Sequence, residues 1–534
     1  MIFYTRMLVQ ASNLECINAC ISKGYHYFWA SIMLNCFIVS NKTGFGVVIM
    51  GQEITTNHFT ARDAQVFHLH LQRETAELER WFAERVFSTH APVAGYELEA
   101  WLIDQRANPM PCNEAFLKTA DNELYTAELA QFNIELNTEP VTIQSNFLSR
   151  LEKDFLQHWF DCKRVAAEIG CRVLSTGILQ TLQHEHLSMD NVSNLLRYKA
   201  LNEQVLLQRK GRALELNING RQSLKSTHHN VMLESAATSL QIHLQTPQHL
   251  AHHYYNASIL VSAPMVAISA NSPYMFGKDL WDETRIPVFE QSVDVGGYDG
   301  AAQGPVHRVS FGTDYARQSL MECFTENYQH FPVLLPMCFT DDVSLMQHLS
   351  LHNGTIWRWN RPLIGFDKDG TPHLRIEHRV MPSAPSVVDN IANMAFYYGL
   401  VQYYATQNTP PNELLDFAQA RDNFYTSAKH SLDNKVSWPG RDRCDMRHLI
   451  LHNLIDNAQV GLESLNLDAT DIEYYLSIIQ SRAEQKQTGS HWQREFVARH
   501  GGEMGNDMQR LLETYYHNQQ TGEPVHCWDF ETYN

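Results

Sequence analysis

The sequence predicts an α+β protein of short half-buried strands and packed helices, with a helical C-terminal layer. Two observations lead there. Four short segments alternate apolar and polar residues with a period of two, the signature of strands with one buried face. Long stretches of helical periodicity flank them and fill the chain after Pro410 and Pro411. A third observation concerns chemistry: the polar face of each strand carries side chains that bind cations or phosphate.

The first 49 residues read as an extension outside the catalytic fold. Their apolar run at 27–39 is short for a bilayer and is interrupted by Asn35. The sparse basic residues before it fit a signal peptide poorly. Met50 opens a more conventional start, M-G-Q-E-I, and residues 50–409 form the expected catalytic domain. Residues 61–87 carry Val66, Phe67, Leu71, Leu78 and Trp81 on one broad stripe, a helix for the outside of the sheet.

The first motif strand, 95–104, reads G-Y-E-L-E-A-W-L-I-D. Tyr96, Leu98, Ala100 and Leu102 fall on one face, Glu97 and Glu99 on the other, roughly 7 Å apart. Two such carboxylates repel unless a cation lies between them or one keeps its proton. A single E-x-E also suits a solvated edge strand, so the other strands decide. After a loop-rich connection over 106–122, residues 132–139, F-N-I-E-L-N-T-E, set Phe132, Ile134 and Leu136 against Asn133, Glu135, Asn137 and Glu139. A helix over 148–169 ends at Gly170, in the position after the cap that glycine favours. A strand at 173–178 follows. Arg197, Tyr198 and Lys199 lie on a segment that reads as a solvated helix face.

Residues 239–246, S-L-Q-I-H-L-Q-T, separate Leu240, Ile242 and Leu244 from Gln241, His243 and Gln245. An apolar helix over 254–270 follows, then the turn N-S-P-Y-M-F-G-K at 271–278. Arg285 comes next, a fork for carboxylate or phosphate, or else a surface ion pair with Asp282 or Glu283. The glycine-dense stretch 296–304 reads as a surface connection or a lid. The last motif strand, 374–381, reads L-R-I-E-H-R-V-M and sets Arg375, Glu377 and Arg379 opposite Leu374, Ile376 and Val380. It follows a turn-rich block containing Trp357 and Trp359. A strongly apolar helix at 386–406 closes this part. Residues 410–534 form the helical layer, with helices over 413–432, 447–464 and 471–484. If the four strands share a sheet, their polar faces make a carboxylate-rich floor edged by arginines, suited to a nucleoside triphosphate held through Mg²⁺.

These motifs resemble the type-2 glutamate–cysteine ligases and carboxylate–amine ligases. The resemblance rests on G-x-E-x-E, N-x-E-x-N-x-E, S-P-Y-M-F-G-K before an arginine, and L-R-I-E-H-R. It implies a glutamine-synthetase-like fold: a curved, mostly antiparallel sheet forming an open funnel with helices outside. It implies an ATP-dependent ligase joining an acid such as glutamate to an amine such as cysteine through an acyl phosphate, as in glutathione biosynthesis. Glu97, Glu99, Glu135, Glu139 and Glu377 would hold Mg²⁺ or Mn²⁺. Arg379 and Arg285 would serve the phosphoryl group and the acid substrate, while Gln241, His243 and Arg375 would bind ATP. The resemblance also implies the alternative to a solvated face for Arg197, Tyr198 and Lys199, a segment near substrate. Gln241 stands where many relatives carry a histidine and others a glutamine, which leaves the number of metal ions open. Two readings stand beside the ligase: a metal-dependent amide hydrolase, and a non-catalytic relative that binds nucleotide and metal.

Composition narrows the partners. A net charge of −18 argues against gripping a nucleic-acid backbone, though not against ATP, whose phosphates metal ions can bridge to acidic side chains. No G-x-x-x-x-G-K-[ST] occurs, so a P-loop is not supported. Ten cysteines without a C-x-x-C pair suit reduced thiols in the cytoplasm. His228, His229, His252 and His253 lack ligand spacing and read as surface or core residues. No membrane partner is expected, and a homodimer is compatible with the sequence.

Overall fold

The structure is a computed structural model that describes residues 54, 56–89, 92–295, 307–339, 342–501 and 504–532. The expected extension at 1–49 and the glycine-dense stretch 296–304 lie outside the described residues. Residues Met50–Gly365 and Thr371–Asn534 form one compact unit.

Its centre is an eight-stranded sheet. The strands are β1 (Val93–Ile103), β2 (Tyr125–Ala127), β3 (Asn133–Asn137), β4 (Val141–Thr142), β5 (Arg172–Leu174), β6 (Ser239–Thr246), β7 (Asn360–Phe366) and β8 (Pro372–Pro382). The order across the sheet is β7-β8-β6-β1-β3-β2, with β4 and β5 also paired to β1. β1 pairs antiparallel with β3, β4, β5 and β6, and the β6–β8 and β2–β3 pairs are antiparallel too. The sheet curls into a half-barrel. Strand twist supplies this curvature, and a bulge in β8 adds to it locally.

Helices cover the apolar face. Helix α1 (Ala61–Glu84) starts with a capping box in which Thr60 and Asp63 exchange hydrogen bonds. Helix α2 (Phe147–Glu168) stacks Phe155 on Tyr96 of β1 and ends before Gly170, which takes a φ of 80°. Helix α3 (Ala251–Ser269) is almost entirely buried and has no polar stripe, as its sequence suggested. After it comes α4 (Arg285–Ser292). Helix α5 (Val387–Ala405), capped by Ser386, lays Tyr397 against His378 of β8.

The helices after Pro411 rest directly on this core. Helix α6 (Ile455–Ser464) crosses α5 so closely that a Cβ on Gly461 would collide with the Gly399 carbonyl, so no larger residue fits either position. From α7 (Ala469–Gln485), the buried Arg482 reaches Asp389 at 2.6 Å, Asn393 at 2.6 Å and the Ile268 carbonyl. Among the described residues no helix is long and apolar enough to cross a membrane.

The structure departs from several expectations. The connection at 106–122 contains a helix, Asn113–Ala120, with Cys112 at its N-cap and anchored by buried Phe116. The strand expected at 173–178 stops at Leu174, because side chains from the last helix replace a strand partner. Gln519 binds both N–H and C=O of Ser175, and Tyr515 donates to the same carbonyl. A hairpin of Leu214–Asn219 and Ser223–His228 was legible as alternation but was not read. The 447–464 helix starts one residue earlier and passes through a π-turn at Ile450–Leu454. The 413–432 helix divides into a single turn and Phe417–His430. Two further helices, Gly489–His500 and Met504–Thr521, complete the layer.

Candidate active site

The pairing register builds the site. Glu97 lies opposite Gln241 on one side and Asn137 on the other; Glu99 lies opposite Glu135, which in turn faces Thr126. His243 faces Glu377 and Gln245 faces Arg375. Residues directly opposite in an antiparallel pair share a face. One face of the sheet therefore gathers Glu97, Glu99, Glu135, Gln241, His243, Arg375 and Glu377.

Two clusters emerge. In the first, Glu97, His243 and Glu377 present ligand atoms within 4.8 Å of one another. His243 Nε2 stands 3.1 Å from Glu97 and 3.9 Å from Glu377. Both ring nitrogens are nevertheless buried without hydrogen-bond geometry to any partner. In the second, Glu99, Glu128 and Glu135 meet the same criterion. Burial and the neighbouring Glu135 push the Glu99 carboxyl up to about 8. Burial also raises Glu135 and Glu128, with Glu97 adding to the first and Glu135 to the second. The crowded carboxylates of the second cluster, whose charge is penalised, fit a hard divalent cation such as Mg²⁺ or Mn²⁺. In the first cluster the orphaned imidazole between two carboxylates is the donor that fits a cation.

Arginines fix the floor. Arg361 grips Glu377 with Nε at 2.7 Å and Nη2 at 3.0 Å, and Arg379 Nη1 adds a contact at 3.1 Å. Burial alone would raise the Glu377 carboxyl, but the Arg361 and Arg379 guanidiniums outweigh it and hold it well below the usual range. Gln241 ties the clusters together: it accepts from Arg379 Nη1 and donates to Glu99 at 2.9 Å. Ser239 N–H donates to the other Glu99 oxygen at 2.7 Å. Thr126 and Asn137 each donate to Glu135 at 3.0 Å. Arg375 has a buried Nε with no partner, in the field of Glu97 and Glu377.

Two residues singled out in the sequence are not part of this gathering. Glu139 lies two residues beyond the end of β3 and is exposed. Arg285 is only 2% exposed and pairs with Glu283 at 3.2 Å, so the ion pair considered for it exists but is buried rather than on the surface. Arg197 and Tyr198 both donate to the Ala127 carbonyl, at 3.1 and 3.0 Å, next to Glu128.

Sequence reasoning missed Glu128 and Arg361. Glu128 follows a three-residue strand, and its only signal was the alternation of Thr126 and Glu128 on the Glu135 face. Arg361 sat in a block read as turns, yet it belongs to β7. Glu234, on the 3₁₀ turn Val231–Ala236 just before β6, was also passed over; burial pushes it up to about 7, with Arg379 opposing.

The profile of glutamate–cysteine ligase family 2 (GCS2) matches residues 93–514. No curated protein matches the chain. Among solved structures, glutamate–cysteine ligase from Francisella tularensis in complex with AMP aligns at 10% identity over 80% of this chain and 90% of that one, with a TM-score of 0.47. A bifunctional glutathione synthetase from Pasteurella multocida aligns at 11% identity over 79% of this chain and 52% of that one, with a TM-score of 0.46. The matched span opens at the first residue of β1 and runs into the final long helix, so the chain belongs to glutamate–cysteine ligase family 2.

Proposed function

We propose that this member of a carboxylate–amine ligase family joins the side-chain carboxylate of glutamate to the amino group of cysteine or a related amine, driven by ATP. The observation that carries the reading is the pair of acidic clusters on one sheet face, coupled through Gln241 and flanked by Arg379 and Arg375. Glu97, His243 and Glu377 would hold one divalent ion and Glu99, Glu128 and Glu135 a second. Bound there, Mg²⁺ or Mn²⁺ supplies neutralising charge for the triphosphate.

A carboxylate is a poor electrophile at neutral pH, so it must be activated. Its oxygen attacks the γ-phosphorus of ATP, the bond to the β-phosphate bridge breaks, and ADP leaves. The amine nitrogen then attacks the acyl carbon, the carbon–oxygen bond to phosphate breaks, and the nitrogen loses a proton. The protein contributes position and charge, not a nucleophile. Arg379, held by Glu377 and Gln241, would meet charge on the transferred phosphoryl group. Arg375 offers its unpartnered guanidinium to the phosphate tail. Arg197 and Tyr198 hold the Ala127 carbonyl and thereby the backbone that carries Glu128.

The test supplies ATP, Mg²⁺ and glutamate labelled in its carboxylate oxygens, with and without a panel of amines. Amine-stimulated ADP formation with label appearing in the released phosphate is the expected result. Amine-stimulated ADP release without label in phosphate would overturn the acyl-phosphate route. Amide cleavage without ATP would point to hydrolysis instead.

A further inference from the structure

Strand β8 pairs with β6 through a bulge: His378 faces Ile242 and Met381 faces Leu240, so three steps on β8 match two on β6. Arg379 and Val380 occupy the extra length. A bulge breaks the regular ladder and re-aims the side chain it carries. Here that side chain is Arg379, whose backbone N–H is fixed separately by the Trp359 carbonyl at 2.9 Å.

The carbonyls of the bulge are met by Arg285. Its Nη2 donates to Arg379 O at 3.2 Å and also to Val380 O. Its Nε donates to Glu283, which is braced in turn by Asn271 N–H at 2.9 Å and Ser272 Oγ at 2.8 Å. The guanidinium also lies over the Trp359 ring, 5.2 Å from its centroid. Buried carbonyls in an irregular strand need donors, and a planar fork can serve two of them from a fixed direction.

We propose that Arg285 is a positioning residue that sets Arg379 by holding the β8 bulge, rather than an anchor for the acid substrate. The inference rests on the reading that Arg379 meets the transferred phosphoryl group. Lysine at 285 keeps the charge, but its single nitrogen cannot occupy the Nη2 place between the two carbonyls and the Nε place on Glu283 at once.

The experiment is a double-mutant cycle of Arg285→Lys and Arg379→Lys. It is read in kcat for ADP formation, in KM for the acid, and in affinity for a non-hydrolysable ATP analogue with Mg²⁺. Arg285→Lys should lower kcat roughly tenfold to a hundredfold, as a displaced catalytic group does, with the acid KM little changed. The double variant should fall within about twofold of Arg379→Lys alone, because coupled residues do not add. A raised acid KM with kcat retained would overturn the proposal in favour of a direct anchor. Multiplying losses would also overturn it, as would a lowered Tm with kcat per folded molecule intact. If Arg285→Lys does not fold, the neutral pair Arg285→Met with Glu283→Gln removes the carbonyl donors without leaving a buried charge, and it enters the same cycle. If the wild type makes no amide with any amine, the proposed function fails on its own. Analogue affinity still decides this inference: equal losses that do not accumulate support it, and cumulative losses sink it.

Discussion

The two faces of the central sheet are made by the same strands yet obey different physics. On the covered face Tyr96, Leu98, Ile134, Leu136, Leu240, Ile242 and Ile376 are buried against helices, and each adds stability by leaving water. On the other face Glu97, Glu135 and Glu377 are buried as well, but burial works against each charge there. Glu377 is stabilised there by partners such as Arg361. A stretch of alternating sequence thus sets residues that serve stability alone beside residues that also serve function. Substitutions on the covered face should cost stability only, whereas those on the polar face should reach turnover.

The largest effect should come from Glu377→Ala. It removes the shared partner of Arg361 and Arg379, which leaves two buried guanidiniums without the carboxylate that balances their charge. We expect loss of turnover to background and a stability loss of about 3–5 kcal/mol, the usual result of breaking a buried pair. Denaturant unfolding together with ATP turnover checks it; a variant as stable as wild type would contradict the ion-pair account. On the covered face, Ile242→Ala should lower stability by about 2–5 kcal/mol through lost burial and a cavity. Its Mg²⁺ affinity and kcat per folded molecule should stay as in wild type. A changed metal affinity would show that the two faces are not separable.

The smallest effect sharpens the contrast. In metal-free protein the Glu99 carboxyl titrates at about 8, against 4.5 for an ordinary glutamate. The folded state then holds a proton that the unfolded chain has released. This contribution is therefore full below 4.5 and is lost as pH rises through about 8. Glu234, pushed up to about 7, adds to the same fall. On the proposed function the second cluster holds a divalent ion through its ionised carboxylates, so excess Mg²⁺ should flatten the decline. Glu128→Gln should raise Tm in chelator toward the alkaline end of the range, where the cluster would otherwise be forced to ionise, while weakening the Mg²⁺ dependence of Tm. Thermal melts between about pH 5 and 9, with chelator and with Mg²⁺, provide the measurement. Parallel curves under both conditions would remove the second cluster as a metal site.

Much of this was legible in the sequence, because alternation is a property of the local backbone. Side chains of a strand point to opposite faces whatever the strand pairs with, so the face of Glu97, Glu99, Glu135, His243 and Glu377 could be read residue by residue. The strand at 239–246 and the Ser386-capped helix were legible for the same local reason. Tertiary structure alone decided the rest. Glu97, His243 and Glu377 meet because three strands far apart in the chain adopt one register, and no local pattern encodes a register between distant segments. Glu128 joins the second cluster from a strand too short to show a period. Arg285 was recognisable as an arginine fork in the sequence, but what the fork grips depends on a bulge in a strand almost a hundred residues away. A side chain's type and face are local facts; its partner is set by how the whole chain closes on itself.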